Sequence, residues 1–302
     1  MISLKRFYLL LNADYQPGIA PDIELFSNDE LTKKERLMIK NGKFVELTTY
    51  CFPDSIGTPL FSHFCHYITW LFLFDDYMDH NSYDVPYLIQ QINNRVSTDS
   101  DRHQNTSFHD DPDRHQNTSF HDDPDRHQNT SFHDDKYGRL LLPILTNLPE
   151  LEETVIEYLR GIGGVKGETF DEYVERRMFD SAVYTFFPMA KLIDPSLTLD
   201  QKNVFRKINL IISLGNDCFS YEKEKDIDEI SSVKILMTNG YTLESAVDFI
   251  YEYILKEFND LQKLHLSNAV KNVLDGITVW TFQSNRYKSG TSPFSELRHL
   301  EP

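Results

Sequence analysis

Cysteine, glycine and tryptophan are scarce in this 302-residue sequence, which contains 3, 12 and 2 of them. The three cysteines, Cys51, Cys65 and Cys218, are an odd number and show no paired spacing. This pattern argues against a disulfide framework, and sparse cysteines are typical of reduced thiols. We therefore expect an intracellular protein.

Basic residues are outnumbered by acidic ones, and long apolar runs are absent. The 30 Lys and Arg residues stand against 47 Asp and Glu, so the formal net charge is -17. Nucleic acids and anionic membranes are polyanions, so neither is an expected partner, whereas metal cations are compatible. No run reaches the ~18 apolar residues of a membrane span. The apolar start before Asn12 is shorter than the ~7–15 residues of a signal-peptide core. These absences predict a cytoplasmic protein without a membrane anchor.

Alternating strand patterns are missing as well, while helical periodicity is frequent. Hydrophobic residues make up 40% of the chain, enough for a sizeable core. Helical spacing of apolar residues predicts an all-α fold, with Asp29 as a possible cap of the first helix. The segments with this spacing are 23–52, 149–164, 199–224, 242–264 and 267–287.

A tandem array interrupts this helical sequence. "DRHQNTSFHDDP" occupies 101–112, recurs at 113–124, and returns at 125–136 with Lys136 in place of proline. Each copy holds one apolar residue, too little to offset the entropy of ordering, so we interpret 101–136 as a mobile polar insertion within a 1–302 domain. The array holds six of the eleven histidines. A metal-binding array is the alternative, but flexible ligands imply no fixed geometry.

Carboxylates follow an apolar run in "FLFDDYMDH", residues 72–80. On a helix, Asp79 lies about 40° around the axis from Asp75, with Asp76 at the edge of the same face. Carboxylates this close repel one another unless a cation such as Mg²⁺ binds between them. Taken alone in so acidic a chain, the motif is more typical of a solvated helix face than of a metal site.

A second polar stripe appears in "NDCFSYEKE", residues 216–224. Asn216, Ser220 and Glu224 are spaced at i, i+4 and i+8, directly after the apolar "INLIISLG". An amide, a hydroxyl and a carboxylate on one face suit a hard cation whose other ligands are phosphate oxygens. An ordinary polar helix end is the alternative.

The two motifs in this order resemble the microbial-type class I terpene synthases, in particular the amoebal branch. Two further stretches fit this resemblance. "RRMFDSAVY" resembles the diphosphate sensor, with Arg177 as sensor, Asp180 as linker and Ser181 at the effector position. "NRY" resembles the C-terminal pair, here Arg286 and Tyr287.

The resemblance implies a class I terpenoid synthase bundle, all-helical, with a central apolar cavity. Three Mg²⁺ ions would bind with the diphosphate of a prenyl substrate at its mouth, and Asp76 would mainly orient arginine side chains. The implied metal residues are Asp75, Asp76, Asp79, Asn216, Ser220 and Glu224. The implied substrate-binding residues are Phe72, Tyr173 and Trp280.

The resemblance further implies ionisation of a linear prenyl diphosphate, with farnesyl diphosphate expected, to terpenes and diphosphate. A chain-elongating prenyltransferase would carry a second aspartate-rich motif where Asn216, Ser220 and Glu224 stand. The remaining alternative is an inactive relative that binds prenyl diphosphate or a partner. The array stands where helical sequence of one wall is expected.

Overall fold

A computed structural model of the chain describes residues 18–27, 29–78, 81–103, 135–162, 169–226 and 230–284. Within these ranges the secondary structure consists of α-helices and three short 3-10 turns, with no strand. This confirms the predicted all-α class. The first six helices are α1 (Lys33–Gly42), α2 (Phe44–Cys51), α3 (Pro59–Met78), α4 (Val85–His103), α5 (Lys136–Asn147) and α6 (Glu152–Ile162). The next six are α7 (Phe170–Asp180), α8 (Phe186–Ile193), α9 (Leu199–Glu224), α10 (Ser232–Thr238), α11 (Leu243–Gln262) and α12 (Asn268–Gln283).

The first helix begins three residues later than the sequence suggested. Asp29 does not cap it, which corrects that prediction. Thr32 is the N-cap, and its hydroxyl accepts a hydrogen bond from the backbone N–H of Glu35, whose carboxylate in turn accepts one from the Thr32 N–H. This reciprocal pair satisfies two helix N-terminal donors at once, which a cap at Asp29 would leave unpaired.

Helix α3 lies in the middle of the core. Its apolar residues are buried on several faces, so it is surrounded by other elements along most of its length. The indole N–H of Trp70 donates to the carbonyl of Tyr137 at 2.9 Å, which joins α3 to the start of α5. Pro59 at the start of α3 and Asp75 in its last turn are exposed.

Helices α2 and α12 pack in close backbone contact. A Cβ atom on Gly276 would lie 2.6 Å from the Cys51 nitrogen and 2.6 Å from the Tyr50 carbonyl carbon. Any side chain at this position would therefore push the two helices apart. The Tyr50 hydroxyl also donates to Gln283 at 3.1 Å across the same interface.

The two ends of the tandem array lie within described helices. Helix α4 continues into the first copy as far as His103, and Asp135 of the third copy caps α5 by accepting from the Gly138 N–H at 2.9 Å. Gln91 donates to the same carboxylate at 3.0 Å. Residues 104–134 lie outside the described part of the chain, so the interpretation of the array as a mobile insertion remains a prediction.

Helical sequence stands on both sides of the array, because α4, α5 and α6 lie between the aspartate motif and α7. Arg95 of α4 forms an ion pair with Glu152 of α6 and donates to Thr146 of α5 at 2.9 Å. These contacts fasten the three helices to one another. Among the described residues, no helix combines the length and the apolarity that a membrane crossing requires.

Candidate active site

The stripe of predicted metal residues on α9 forms as the sequence suggested. Asn216 and Glu224 are half-buried and Ser220 is buried. The Ser220 hydroxyl donates to the Glu224 carboxylate at 2.6 Å. The Lys234 ammonium donates to the Glu224 backbone carbonyl at 2.6 Å, so a side chain of α10 fixes the end of α9. Two of the three predicted ligands are therefore already held side by side.

Asp217, the next residue after Asn216, is 2% exposed and receives four hydrogen bonds. One oxygen accepts from the Tyr173 hydroxyl at 2.7 Å and from the Ser232 N–H and hydroxyl at 3.0 and 2.7 Å. The other oxygen accepts from the Arg177 guanidinium at 3.0 Å. This carboxylate thus joins α7, α9 and the start of α10.

Helix α7 presents both of its contacts with Asp217 from one face, because Tyr173 and Arg177 are one turn apart. Its start is fixed by Thr169, whose hydroxyl accepts from the Glu172 N–H at 3.3 Å and whose own N–H donates to the Glu172 carboxylate at 3.1 Å. The substrate-binding role of Tyr173 stays a prediction, and its hydroxyl donates to Asp217. Its ring lies 5.2 Å from the Arg176 guanidinium carbon, which gives a cation–π contact.

Helix α7 ends at the predicted linker and effector positions. Asp180 is its last residue, and the side chain of Asp180 lies outside the described part. Ser181 has extended backbone angles, φ -92° and ψ 129°, and its hydroxyl accepts from the Val183 N–H at 3.4 Å. A short 3-10 turn then leads into α8. The helix therefore ends three residues after Arg177, the predicted sensor.

The aspartate motif occupies the end of α3. Asp75 is exposed and Asp76 is half-buried, while Asp79 lies outside the described residues. Burial raises the pKa of the nearby Tyr137, and the negative charges of Glu35 and Asp76 raise it further. The Tyr137 hydroxyl donates to Glu35 at 3.0 Å. An aromatic side chain, Tyr137, and an acidic one, Glu35, therefore lie near the aspartate motif.

Two predicted substrate-binding residues, Phe72 and Trp280, lie against each other with ring centroids 5.1 Å apart. Phe72 also stacks on Phe44 at 4.6 Å. The Trp280 indole N–H donates to the Gly42 carbonyl at 2.6 Å, at the junction of α1 and α2. The described contacts of these rings are with core residues. The predicted C-terminal pair, Arg286 and Tyr287, lies outside the described part.

Residues 165–260 match the family model described as terpene synthase family 2, C-terminal metal binding. This range contains Tyr173, Arg177 and the whole α9 stripe. Terpene synthase 2 of Dictyostelium purpureum is 28% identical over 35% of this chain and 38% of its own length. The chain therefore spans well under half of this relative in the match. By these matches the chain is similar to terpene synthases, including amoebal ones from Dictyostelium.

Solved terpene synthase structures share the fold. Aristolochene synthase from Penicillium roqueforti matches with a TM-score of 0.55 and 15% identity, covering 89% of this chain and 100% of that one. Linalool/nerolidol synthase from Streptomyces clavuligerus matches with a TM-score of 0.58 and 12% identity, covering 84% and 90%. The latter synthase has also been solved with 2-fluorogeranyl diphosphate, with a TM-score of 0.53, 14% identity and coverage of 88% and 99%. At these identities the likeness establishes the helical terpenoid synthase fold.

The donor set on α9 fits a divalent cation, in agreement with the metal-binding description of the matching family model. Its side chains are an amide, a hydroxyl and a carboxylate, all oxygen donors, which are the ligands that Mg²⁺ prefers. Within the described residues, no three His, Cys, Asp or Glu side chains are grouped closely enough to hold an ion alone. A cation at α9 would therefore need further oxygen ligands, such as those of water or of a diphosphate.

Asp217 and Ser232 are the site residues that the sequence reasoning missed. Asp217 stands inside the quoted motif, but its neighbour Asn216 carried the interpretation. A signal was available, because an acidic residue flanked by buried positions of an apolar helix requires a partner of opposite charge. The partner itself, Arg177, is 40 residues away in sequence, so only the fold reveals the pair.

Proposed function

We propose that this chain is a Mg²⁺-dependent terpene synthase that ionises a linear prenyl diphosphate, with farnesyl diphosphate as the expected substrate. The products would be cyclic or acyclic terpenes and diphosphate. The family match, with its metal-binding description, supports the reaction class. The names of the related synthases, and the geranyl diphosphate analogue bound to one of them, support a prenyl diphosphate as substrate.

The observation that carries this proposal is the contact between Arg177 and Asp217. Through it the predicted sensor on α7 lies beside the helix that bears Asn216, Ser220 and Glu224. A guanidinium and a row of oxygen ligands on adjacent helices can act on the same polyanion from two sides. A diphosphate bound between them would meet positive charge and metal ligands together.

Each residue has a proposed task in the reaction. Asn216, Ser220 and Glu224, together with Asp75, Asp76 and Asp79, would hold the Mg²⁺ ions. When bound, the ions supply electrostatic stabilisation of the negative charge that develops on the leaving diphosphate. Arg177, Arg286 and Tyr287 would donate hydrogen bonds to the same oxygens, and these bonds strengthen as the charge develops. Asp180 and Ser181 would link the sensor to the substrate.

The bond that breaks is the allylic C–O bond, and its electron pair leaves with the diphosphate oxygen. The remaining carbocation would lie against Phe72, Tyr173 and Trp280, whose aromatic faces stabilise positive charge by up to about 2 kcal/mol per contact when dry. Loss of a proton from a neighbouring carbon yields the alkene. Exclusion of water by these rings decides whether a hydrocarbon or an alcohol forms.

The direct test is incubation of the purified protein with Mg²⁺ and the C10, C15 or C20 prenyl diphosphate, followed by analysis of volatile products. We expect terpenes from the C15 substrate and none after Asn216→Ala. Asn203→Ala is the matched control, because Asn203 is exposed on the same helix. Absence of any terpene from all three substrates would reject the proposed reaction.

An inactive relative that only binds prenyl diphosphate is the alternative outcome. Ligand that binds the folded state alone raises the unfolding temperature. Thermal unfolding with and without Mg²⁺ and pyrophosphate therefore separates the cases. Stabilisation without product formation would indicate a binding protein, whereas stabilisation together with terpene formation would support the synthase.

A further inference from the structure

The buried carboxylate of Asp217 has no direct part in the proposed reaction, yet it accepts four hydrogen bonds from three residues. Moving a carboxylate out of water is unfavourable unless charges and hydrogen bonds compensate. At Asp217 the compensation comes from Arg177 together with Tyr173 and Ser232. Asp217 is therefore the shared hydrogen-bond acceptor of these three residues.

Helix geometry separates Asp217 from the row of metal residues. Consecutive residues on an α-helix differ by about 100° in direction, so Asn216 and Asp217 face different neighbours. Asn216 belongs to the stripe with Ser220 and Glu224, whereas Asp217 faces α7 and the start of α10. One Asp217 oxygen already accepts three donors, which disfavours Asp217 itself as a metal ligand.

We propose that Asp217 is a positioning residue that holds the Arg177 guanidinium beside the α9 metal stripe. This inference rests on the proposed function and adds to it the group that places the sensor. A guanidinium is a planar fork with five N–H donors, so a contact to a carboxylate fixes its orientation and leaves other donors directed elsewhere. Tyr173 and Ser232 hold the carboxylate, and the carboxylate holds the arginine.

The charge of Asp217 matters for this task as well as its shape. A charged acceptor makes a shorter and stronger hydrogen bond to a guanidinium than a neutral one. Asp217→Asn keeps the size of the side chain and one acceptor oxygen, but it removes the charge that pairs with Arg177. Ser55→Ala, by comparison, removes a buried hydroxyl that donates to the Phe52 carbonyl at 2.7 Å and leaves the four hydrogen bonds to Asp217 in place.

The test measures pyrophosphate affinity in the presence of Mg²⁺ by titration calorimetry, so it does not depend on turnover. We expect Asp217→Asn to weaken binding by about 10- to 100-fold, the range typical for loss of a group that orients a ligand-binding residue. In an Arg177→Gln background the same change should alter affinity by less than about twofold, because Asp217 then has no guanidinium to position.

Ser55→Ala is the control for a merely structural role, because it removes a buried hydroxyl that is not bonded to Asp217. It should lower the thermal unfolding temperature and change pyrophosphate affinity by less than about twofold. If Asp217→Asn does not fold, Asp217→Glu replaces it in the same cycle, because it keeps the charge and displaces the carboxylate by one methylene. We expect weakened binding from that displacement, again only when Arg177 is present.

The outcomes separate this inference from the proposed function. If the wild-type protein binds pyrophosphate and Asp217→Asn binds it equally well, Asp217 does not position the sensor. Equal losses of affinity in both backgrounds would overturn the inference too, since they would indicate an effect that bypasses Arg177. If the wild-type protein shows no Mg²⁺-dependent binding, the proposed function fails, and the inference fails with it.

Discussion

Asp275 carries a carboxylate into the interface between α12 and α2. Burial raises its pKa to about 6, against the opposing charge of Lys271. Burial and the charge of Asp275 together raise the pKa of the neighbouring Cys51 thiol. The ionised form of Asp275 is therefore less favourable in the folded protein than in the unfolded chain.

Asp275→Asn should stabilise the protein at neutral pH. With a folded pKa above the unfolded one, the wild-type protein loses stability as pH rises from about 4 to 6, and the neutral amide avoids this loss. We expect a gain of roughly 1–2 kcal/mol at pH 8 after allowance for solvent screening, shrinking towards zero near pH 4. Urea unfolding at both pH values measures it, with the exposed Asp248→Asn as control. An equal gain at both pH values would contradict the charge explanation.

The pKa of Glu35 is shifted in the opposite direction to that of Asp275. Burial opposes its ionisation, but hydrogen bonds from Lys136, Thr32 and Tyr137 outweigh it and lower the pKa of Glu35 to about 2. A depressed folded pKa contributes stability above the unfolded value, and this stability is lost as pH falls from about 4.5 to 2. Glu35→Gln should therefore reduce the loss of stability between pH 5 and pH 3. A variant with the wild-type pH dependence in urea unfolding would exclude this role.

At the scale of helices, Gly276 sets the distance between α12 and α2. Helix propensity alone would make Gly276→Ala stabilising by about 1 kcal/mol. The close approach of the Tyr50 and Cys51 backbones predicts the reverse, a loss of about 1–3 kcal/mol from overpacking. The sign of the change in urea unfolding decides between the two, and a more stable variant would show that the helices separate at little cost.

The extent of a helix could be predicted from the sequence where its apolar face is continuous. The segment 199–224 was predicted as one helix, and α9 spans the same residues. The start of α1 was missed because Asp29 and Thr32 are both good caps, although Thr32 and Glu35 together form the stronger signal. The break between α1 and α2 depends on Lys43, whose left-handed φ of 53° has no marker such as glycine.

In the candidate site, too, one part could be predicted from the sequence and another part could not. The row of Asn216, Ser220 and Glu224 follows from helical spacing alone, so the sequence sufficed to find it. The link from Asp217 to Tyr173, Arg177 and Ser232 depends on three helices meeting, and no local pattern encodes that meeting. Phe72 and Trp280 were both selected from the sequence, but their contact with each other is a result of tertiary packing.

At the scale of the whole molecule, the interpretation of the array as an insertion can be tested by two deletions with different end points. Asp135 lies against Gln91, and His103 is twelve residues further along α4, so a linker must return about 18 Å. Replacing 104–134 by about ten Gly and Ser residues spans this distance easily. We expect that variant to unfold within a few degrees of the wild-type protein.

Deletion of the full array, 101–136, should cost more. It removes the Asp135 cap of α5 and the Lys136–Glu35 ion pair, for an expected loss of roughly 1–2 kcal/mol. Thermal unfolding of the two variants, each with the same linker, measures the difference. Equal stabilities would mean that these two contacts contribute little, and a failure of both variants to fold would contradict the interpretation of the array as an insertion.

The fixed attachment of Asp135 and Lys136 has a genetic consequence. Tandem DNA repeats gain and lose units by replication slippage, and each twelve-residue unit here is an in-frame step. A gain or loss of an internal copy leaves the sequence at both junctions unchanged, and with it the cap of α5 and the pairing with Glu35. We therefore expect alleles of this gene to differ in copy number while the helices around the array keep their sequence.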